Sequence, residues 1–325
     1  MRSEKKINLK SAFRIFIMYL LLSRINIWLI CVSLFLFGEW YSIKSLPLVN
    51  TLLCISSLWC IMSGGSILNN FFDKDLDTNA GKAIVLNFAF LPPQKSLSLS
   101  IFLSLIGCFL LIFVNLFSFL IGLVLVVVCS SYSTPPIRTK NIFILDIIWN
   151  GIGGGTLPFM LGCSSANSLF SINTFIYGAI FGFLLASYYL FNELTDVKTD
   201  NQYGAKTSAT KLGINCTIFA AIILYFFSLI ISYISFGFQN FITIFLLVAG
   251  IPILIMAFVF KKNFRFAISL VLFSSIFFLI GVIPGYLFIQ SYSFIPIGIL
   301  ILGIFHPLIA IILKPDFYLP SDLRI

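Results

Sequence analysis

An all-α, polytopic transmembrane helical bundle is the fold class this sequence predicts, and three observations predict it. Sixty per cent of the 325 residues are hydrophobic, only 10% are charged, and mean hydropathy is +1.08. The apolar residues fall in runs of about 20, the length that crosses a hydrocarbon core. The basic residues collect between alternate runs instead of spreading evenly along the chain.

Taken in order, the first eleven residues are polar, and no small-residue cleavage site follows the apolar stretch after Phe13. No cleavable signal peptide is expected. Residues 12–24, with Arg14 and Arg24 flanking apolar side chains, read as an interfacial lead-in helix. Spans are expected near 26–43 and 47–70, the second running into an acidic cluster. The third and fourth, near 97–115 and 117–132, are separated mainly by Asn115 and Ser118. A fifth near 142–162 follows a Pro- and Lys/Arg-bearing loop, and a sixth near 172–193 runs into a second acidic cluster. Four more apolar runs lie near 215–236, 241–260, 266–288 and 292–313. The chain therefore divides into an amino-terminal interfacial segment (1–25), a transmembrane bundle (26–290), and an additional candidate span with a tail (291–325).

Charge sets the orientation. Arg2, Lys5, Lys6, Lys10, Arg14 and Arg24 precede the first span, and the other even-numbered connections carry all remaining Lys and Arg except Lys44. Nineteen of the twenty basic residues thus face one side, which the positive-inside rule makes cytoplasmic. The net charge of +9 is accordingly a topology signal, and no nucleic-acid partner is expected. The seven cysteines lie mostly inside apolar runs without metal-ligand spacing and read as small packing residues.

Only eleven residues are acidic, and six of them sit in two clusters. NNFFDKDLD holds Asn69, Asp73 and Asp77 at i, i+4, i+8, and NELTDVKTD repeats that spacing with Asn192, Asp196 and Asp200. If the second and sixth spans continue as helices, each set lies along one face. Crowded carboxylates at a membrane edge repel unless cations neutralise them. Mg2+ would do so, accepting a few carboxylate oxygens while bridging to phosphate. Solvated charges that merely stop a span are the competing reading, weakened by the duplicated register. Asp75 and Glu193 are offset from these faces and are weaker candidates.

SYSTPPIRTK (131–140) joins Tyr132 and the rigid Pro135–Pro136 pair to Arg138 and Lys140. A fixed cation pair could stabilise a departing diphosphate, or simply anchor the loop at the cytoplasmic side. Lys206, after the second cluster, is a candidate for the same task, ahead of Lys211. Tyr132 and the Tyr188–Tyr189 pair could face a carbocation or an acceptor hydroxyl, or only pack. Asp146 and Asn150 could orient a ligand or form a helix-terminal network. Ser63–Gly65 and Gly153–Gly155 are expected to let helices approach closely, and His306 to pack.

On NNFFDKDLD, YSTPPIRTK and NELTDVKTDNQYGAKTSATKLG, in that order, the chain resembles the UbiA superfamily of intramembrane prenyltransferases over roughly residues 20–290. Gly204, Lys206–Thr207, Leu212–Gly213, Arg24 and Asn26 fit the family's pattern as well. The resemblance implies a bundle of nine core spans, so the run at 292–313 would be an addition. It implies Mg2+-dependent transfer of an isoprenyl group from its diphosphate to a lipophilic or aromatic acceptor, with membrane lipid around the cavity. Asn69, Asp73, Asp77, Asn192, Asp196 and Asp200 would hold the metal, and Lys140 and Tyr132 would act with the aspartates. Arg138, Lys206 and Lys82 would contact the diphosphate. The chain departs from many relatives after the first cluster, where TNAGKAIVLNFAFLPPQ lacks an Arg-Pro stretch and leaves Lys82 as the lone cation. The acceptor expected is a quinone precursor or chlorin, with a carotenoid end or lipid alcohol as the alternative. An ion-coupled transporter is the competing class. A multi-pass protein of the cell membrane, with its site on the cytoplasmic side, follows.

The charge pattern makes a direct prediction. Reporters fused after Phe236, Lys262, Gln290 and Ile325 are expected to read outside, cytoplasm, outside and cytoplasm; an outside signal at Ile325 alone would remove the tenth span.

Overall fold

The computed structural model describes residues 25–42, 48–79, 93–166, 170–202, 204–237 and 241–259. Among these the regular elements are all helical: α1 (Ile25–Ser42), α2 (Leu48–Asn79), α3 (Pro93–Ile112), α4 (Leu116–Ser133), α5 (Leu145–Gly151), α6 (Leu157–Ser165), α7 (Ile172–Gln202), α8 (Ser208–Phe236) and α9 (Phe241–Val259). Residues Ile152–Thr156 form a π-helical turn joining α5 to α6 without leaving helical geometry, so 145–165 is one rod. The first eight expected spans each find a helix. Those expected near 266–288 and 292–313, the lead-in at 12–24, and His306 lie outside the described residues.

Five of the described helices are long and apolar enough to cross a membrane, and two shorter apolar ones, Leu29–Ser42 and Ile242–Phe258, accompany them. Their outward faces carry large apolar side chains such as Leu105, Phe109 and Phe226, suited to lipid, while helical geometry pairs the backbone groups between the helix ends internally.

α2 has 32 residues and α7 has 31. At about 1.5 Å per residue each is roughly 46–48 Å long, so each outruns a hydrocarbon core of about 30 Å. The excess is the acidic end. Both clusters are therefore helical, and their i, i+4, i+8 spacing does align them.

Local chemistry sets the boundaries. Asn115 caps α4 by accepting from the Ser118 amide at 2.8 Å, which makes a three-residue break sufficient between α3 and α4. Thr207 caps α8 by accepting from the Thr210 amide at 3.3 Å. Gly213 then takes φ 73° and kinks α8, a conformation that costs glycine little. Hydropathy places the start of this span near 215 because the first turn of α8 lies before that kink.

α7 is the central element: 72% of its apolar window is buried, against 28% for α3, α4 and α8. It packs on α8, α5 and the π turn, while α1 is held between α6 and α2, and α2 packs on α3 and α4. Phe37, Phe159, Phe181 and Phe245 join α1, α6, α7 and α9 at ring separations of 5.0–6.1 Å. The buried Glu39 carboxylate on α1 accepts from Thr51 and, at 3.1 Å, from Ser165, tying α1 to α2 and α6. α1 and α6 cross where Gly38 and Gly162 face each other's backbone. A Cβ on either would lie 2.0 Å from a carbonyl oxygen, of Phe159 and Phe35 respectively.

Gly38→Ala and Gly162→Ala are each expected to destabilise the protein by about 1–3 kcal/mol through overpacking. Thermal unfolding in detergent checks this, with Gly154→Ala as control, since a Cβ there meets nothing closer than Leu185 at 3.6 Å.

Candidate active site

The two acidic helix ends come together over one cavity of about 290 Å³. Its upper wall is polar: Asn69 and Asp73 from α2, Asn192, Glu193, Asp196 and Asp200 from α7, and Lys140 and Asn141 from the loop after α4. Its lower wall is apolar or small, with Ile30, Cys31, Met62, Val128, Gly153, Gly154 and Leu185. The helices fix this order, because Leu185 sits about 16 Å below Asp196 along α7 at 1.5 Å per residue.

The loop 134–144 reaches back across the cavity mouth. Its Pro135–Pro136 peptide is cis, and Arg138 follows in the left-handed region at φ 36°, with its amide donating to the Thr134 carbonyl at 2.9 Å. The guanidinium Nη2 then donates to Asp73 Oδ1 at 2.6 Å, and Lys140 Nζ donates to Asp73 Oδ2. Both cations expected from the sequence therefore converge on one carboxylate, which is itself buried. Arg138 Nε and Asn141 Oδ1 are buried without a protein partner. Buried polar atoms of that kind mark a place where a polar ligand or water completes the bonding.

Asn69 donates from its amide nitrogen to Ser133 Oγ at 3.0 Å, which orients its side chain at the rim. Asp75 is exposed and points away from the cavity wall, as its offset implied. Asp77 continues the α2 face, but its side chain is outside the described ones, as is Lys82 altogether. Lys206 is exposed and does not line the cavity, although its neighbours Ala205 and Thr207 do.

Glu193 counted for little in the sequence and for much in the fold. It is buried and accepts from the Tyr189 hydroxyl on Oε1 and from the Ala209 amide at 3.2 Å on Oε2. Tyr189 OH meets Tyr132 OH at 2.9 Å. Asp146, fully buried on α5, accepts from the Ser208 amide at 2.6 Å and from the Ser208 hydroxyl, which also accepts from the Ile144 amide at 2.8 Å. Of the two readings open for Asp146, the helix-terminal network is the one formed. Two carboxylates from different helices thus satisfy the first donors of α8. Tyr188, by contrast, is a packing tyrosine whose hydroxyl donates to the Ala249 carbonyl at 2.7 Å. A carboxyl inside an apolar window was the signal that could have singled out Glu193.

The donor set suits a hard cation: carboxylates and amide carbonyls from α2 and α7 face one space, with Cys31 and Cys129 placed among the lower lining. Among the described residues no three acidic, His or Cys side chains close into a complete cage. That is compatible with Mg2+, which is commonly held by one or two carboxylates plus phosphate oxygens.

The chain is similar to known proteins in sequence and in fold. The UbiA prenyltransferase family model matches residues 26–267. A digeranylgeranylglyceryl phosphate synthase of Sulfurisphaera tokodaii is 26% identical over 201 residues, covering 62% of this chain and 70% of its own. The fold is that of a UbiA homolog from Archaeoglobus fulgidus bound to DMAPP and Mg2+, with TM-score 0.69 and 18% identity over 84% of this chain and 99% of that one. It is similarly that of an apo UbiA homolog from Aeropyrum pernix K1, with TM-score 0.65 and 16% identity over 79% and 96% of the two chains.

The Asp73 triad yields a structural prediction. Arg138→Gln or Lys140→Gln alone leaves Asp73 one counter-charge and is expected to cost about 1 kcal/mol or less. The double variant leaves a buried carboxylate unpaired and should cost about 3 kcal/mol, more than the sum. Asp73→Asn added to the double variant should recover most of the loss, as read from thermal unfolding in detergent.

Proposed function

This chain belongs to the UbiA prenyltransferase family, and from that premise we propose that it transfers an isoprenyl group from an allylic prenyl diphosphate to a lipid alcohol in the membrane. The observation that carries the reading is a cavity with a cation- and carboxylate-lined mouth above a largely apolar chamber. A diphosphate head and an isoprenoid tail need those two environments at that separation. Burial of the tail contributes about 0.8 kcal/mol per CH₂.

Asn69, Asp73, Asp77, Asn192, Asp196 and Asp200 would hold Mg2+, the ion that the Archaeoglobus fulgidus homolog binds together with DMAPP. When bound, Mg2+ supplies positive charge that offsets the charge gathering on diphosphate as its bond to C1 breaks. Arg138 and Lys140 would act on the same charge from the loop side, Lys140 from the cavity lining and Arg138 from beside Asp73. Lys206 and Lys82 are proposed to approach from the two flanking loops. Tyr132 and Tyr189 line the cavity below the mouth and place ring faces or hydroxyls beside the reacting carbon.

For the acceptor, the quinone precursor and the chlorin gain no support, whereas the Sulfurisphaera tokodaii relative is a digeranylgeranylglyceryl phosphate synthase. That favours the alcohol. We further propose that the protein lies in the cell membrane with this cavity opening toward the cytoplasm, following the basic loops.

Asp73→Asn and Asp196→Asn are each expected to lower Mg2+-dependent diphosphate release by at least about 10²-fold while leaving membrane insertion intact. Arg138→Gln and Lys140→Gln should raise the donor KM about 10-fold, the value of one charge-assisted hydrogen bond. The assay is release of labelled diphosphate from geranylgeranyl diphosphate by purified protein, with products read by mass spectrometry of a lipid extract. Normal turnover in both aspartate variants would sink the metal roles.

A further inference from the structure

We propose that the outer face of the loop 134–144 seats in lipid at the mouth end of the bundle, and that this seating holds Arg138 and Lys140 over Asp73. The side chains of the loop are sorted in an order that water does not favour. Ile137, Ile142, Phe143 and Ile144 are 57%, 44%, 38% and 49% exposed. The side chains of Arg138 and Lys140 are only 24% and 13% exposed. The loop therefore turns its charges inward and its large apolar groups outward. A connector bathed in water has the opposite order, because exposed apolar surface costs free energy in proportion to its area.

Three further observations point to lipid as the occupant of that face. The loop starts where α4, a helix long and apolar enough to span, ends at Ser133, so it lies at the edge of the hydrocarbon. It ends at the α5–α6 rod, where the Ile148 amide donates to the Ile144 carbonyl at 3.0 Å and both side chains are exposed. The apolar face of the loop thus adjoins that of the rod. Lys211, exposed in the first turn of α8, holds its Nζ 5.2 Å from the centre of the Phe143 ring. An aromatic ring beside a long-stemmed cation suits the headgroup boundary. There the ring enters the acyl edge and the ammonium reaches a lipid phosphate.

The inner face of the loop makes this anchor matter to the site. Arg138 stands at φ 36° and Ile144 at φ 70°, conformations that such side chains rarely adopt and that persist only where the surroundings impose them. The Arg138 amide donates to the Thr134 carbonyl at 2.9 Å and the Asn141 amide to the Arg138 carbonyl at 3.0 Å. The Ile144 amide donates to Ser208 Oγ at 2.8 Å. These bonds and the two cations on Asp73 draw the loop inward. Lipid against the outer face disfavours the competing arrangement, in which the isoleucines fold away from water and the cations swing out. The anchor is independent of the acceptor, and its effect on the donor rests on the diphosphate role proposed above for Arg138 and Lys140.

The test uses full-length protein in nanodiscs, with a photoreactive benzophenone amino acid placed in turn at Ile137 and at Phe143. Phe226 serves as the lipid-facing reference and Gln202, exposed at the polar end of α7, as the aqueous one. Illumination is expected to give lipid adducts at both loop positions, in yields close to that of Phe226 and well above that of Gln202, as read by intact-protein mass spectrometry. A second measurement compares the parent with the double variant Ile137→Ser/Phe143→Ser by hydrogen exchange. Exchange across residues 134–144 should rise about 10-fold in the variant while α7 keeps the parent's rate. Its KM for geranylgeranyl diphosphate should rise about 3- to 10-fold, the worth of one weakened hydrogen bond. Loop positions that label like Gln202, or that crosslink to another part of the chain, overturn the anchor. Lipid adducts with unchanged loop exchange overturn the hold on Arg138 and Lys140. A parent that releases no diphosphate defeats the functional reading alone, since adducts and exchange decide the anchor without it.

Discussion

Keeping carboxylates inside an apolar bundle is the constraint on which the rest of this structure depends. Removing such a group from water costs several kcal/mol unless fixed donors replace the lost hydration. Each buried carboxylate here meets that requirement by joining helices that are distant in sequence. Asp73 draws the loop after α4 onto α2 through Arg138 and Lys140. Asp146 and Glu193 bring α5 and α7 to the first amides of α8. Glu39 ties α1 to α2 and α6 at the opposite end of the bundle. The loop 134–144 is thereby fastened at both ends, to Asp73 by its cations and to Ser208 by the Ile144 amide. A segment that hydropathy alone would leave as a connector becomes a wall of the cavity.

Small residues supply the complementary condition. Lipid offers no hydrophobic drive between helices, so association depends on close packing. Gly38 and Gly162 bring α1 and α6 into backbone contact, and Gly155 does the same for the π turn against the Phe181 carbonyl, where a Cβ would lie 2.4 Å away. Gly154 is different: a Cβ there would meet only ordinary contacts, and its bare backbone forms part of the chamber floor. The π turn thus presents Gly155 to a neighbouring helix and Gly153 and Gly154 to the cavity, an arrangement that a regular α-helical turn would shift in register.

The sequence made much of this legible, and the remainder was hidden for definite reasons. Helix count through 259 followed from apolar run length, because the membrane imposes a fixed span. The aligned faces of Asn69, Asp73, Asn192 and Asp196 followed from the 3.6-residue period. Arg138 and Lys140 were legible as a pair, but not their convergence on Asp73, since a turn of unusual backbone geometry aims them. Glu193 was discounted because its offset from the Asn192–Asp196–Asp200 face looked like exposure. On a helix buried on nearly every side, an offset residue faces another neighbour instead of water. The seventh span was placed late because hydropathy averages across the kink at Gly213. For the acceptor, shape matters, and shape arises from several helices packing at once.

The placement of the chemistry at an overlong helix end has a consequence for selectivity against water. A diphosphate needs the polar edge, where cations and carboxylates can be solvated when the site is empty. An allylic cation needs the opposite, a dry wall that delays attack by water until the acceptor arrives. α2 and α7 satisfy both because they extend past the hydrocarbon region while their lower turns remain inside it. The reacting carbon would sit at the boundary between the two, level with Tyr132 and Tyr189. Charged and polar side chains line the cavity above that level and apolar ones below it, so on the proposed reading the boundary is where a prenyl C1 and its acceptor would meet.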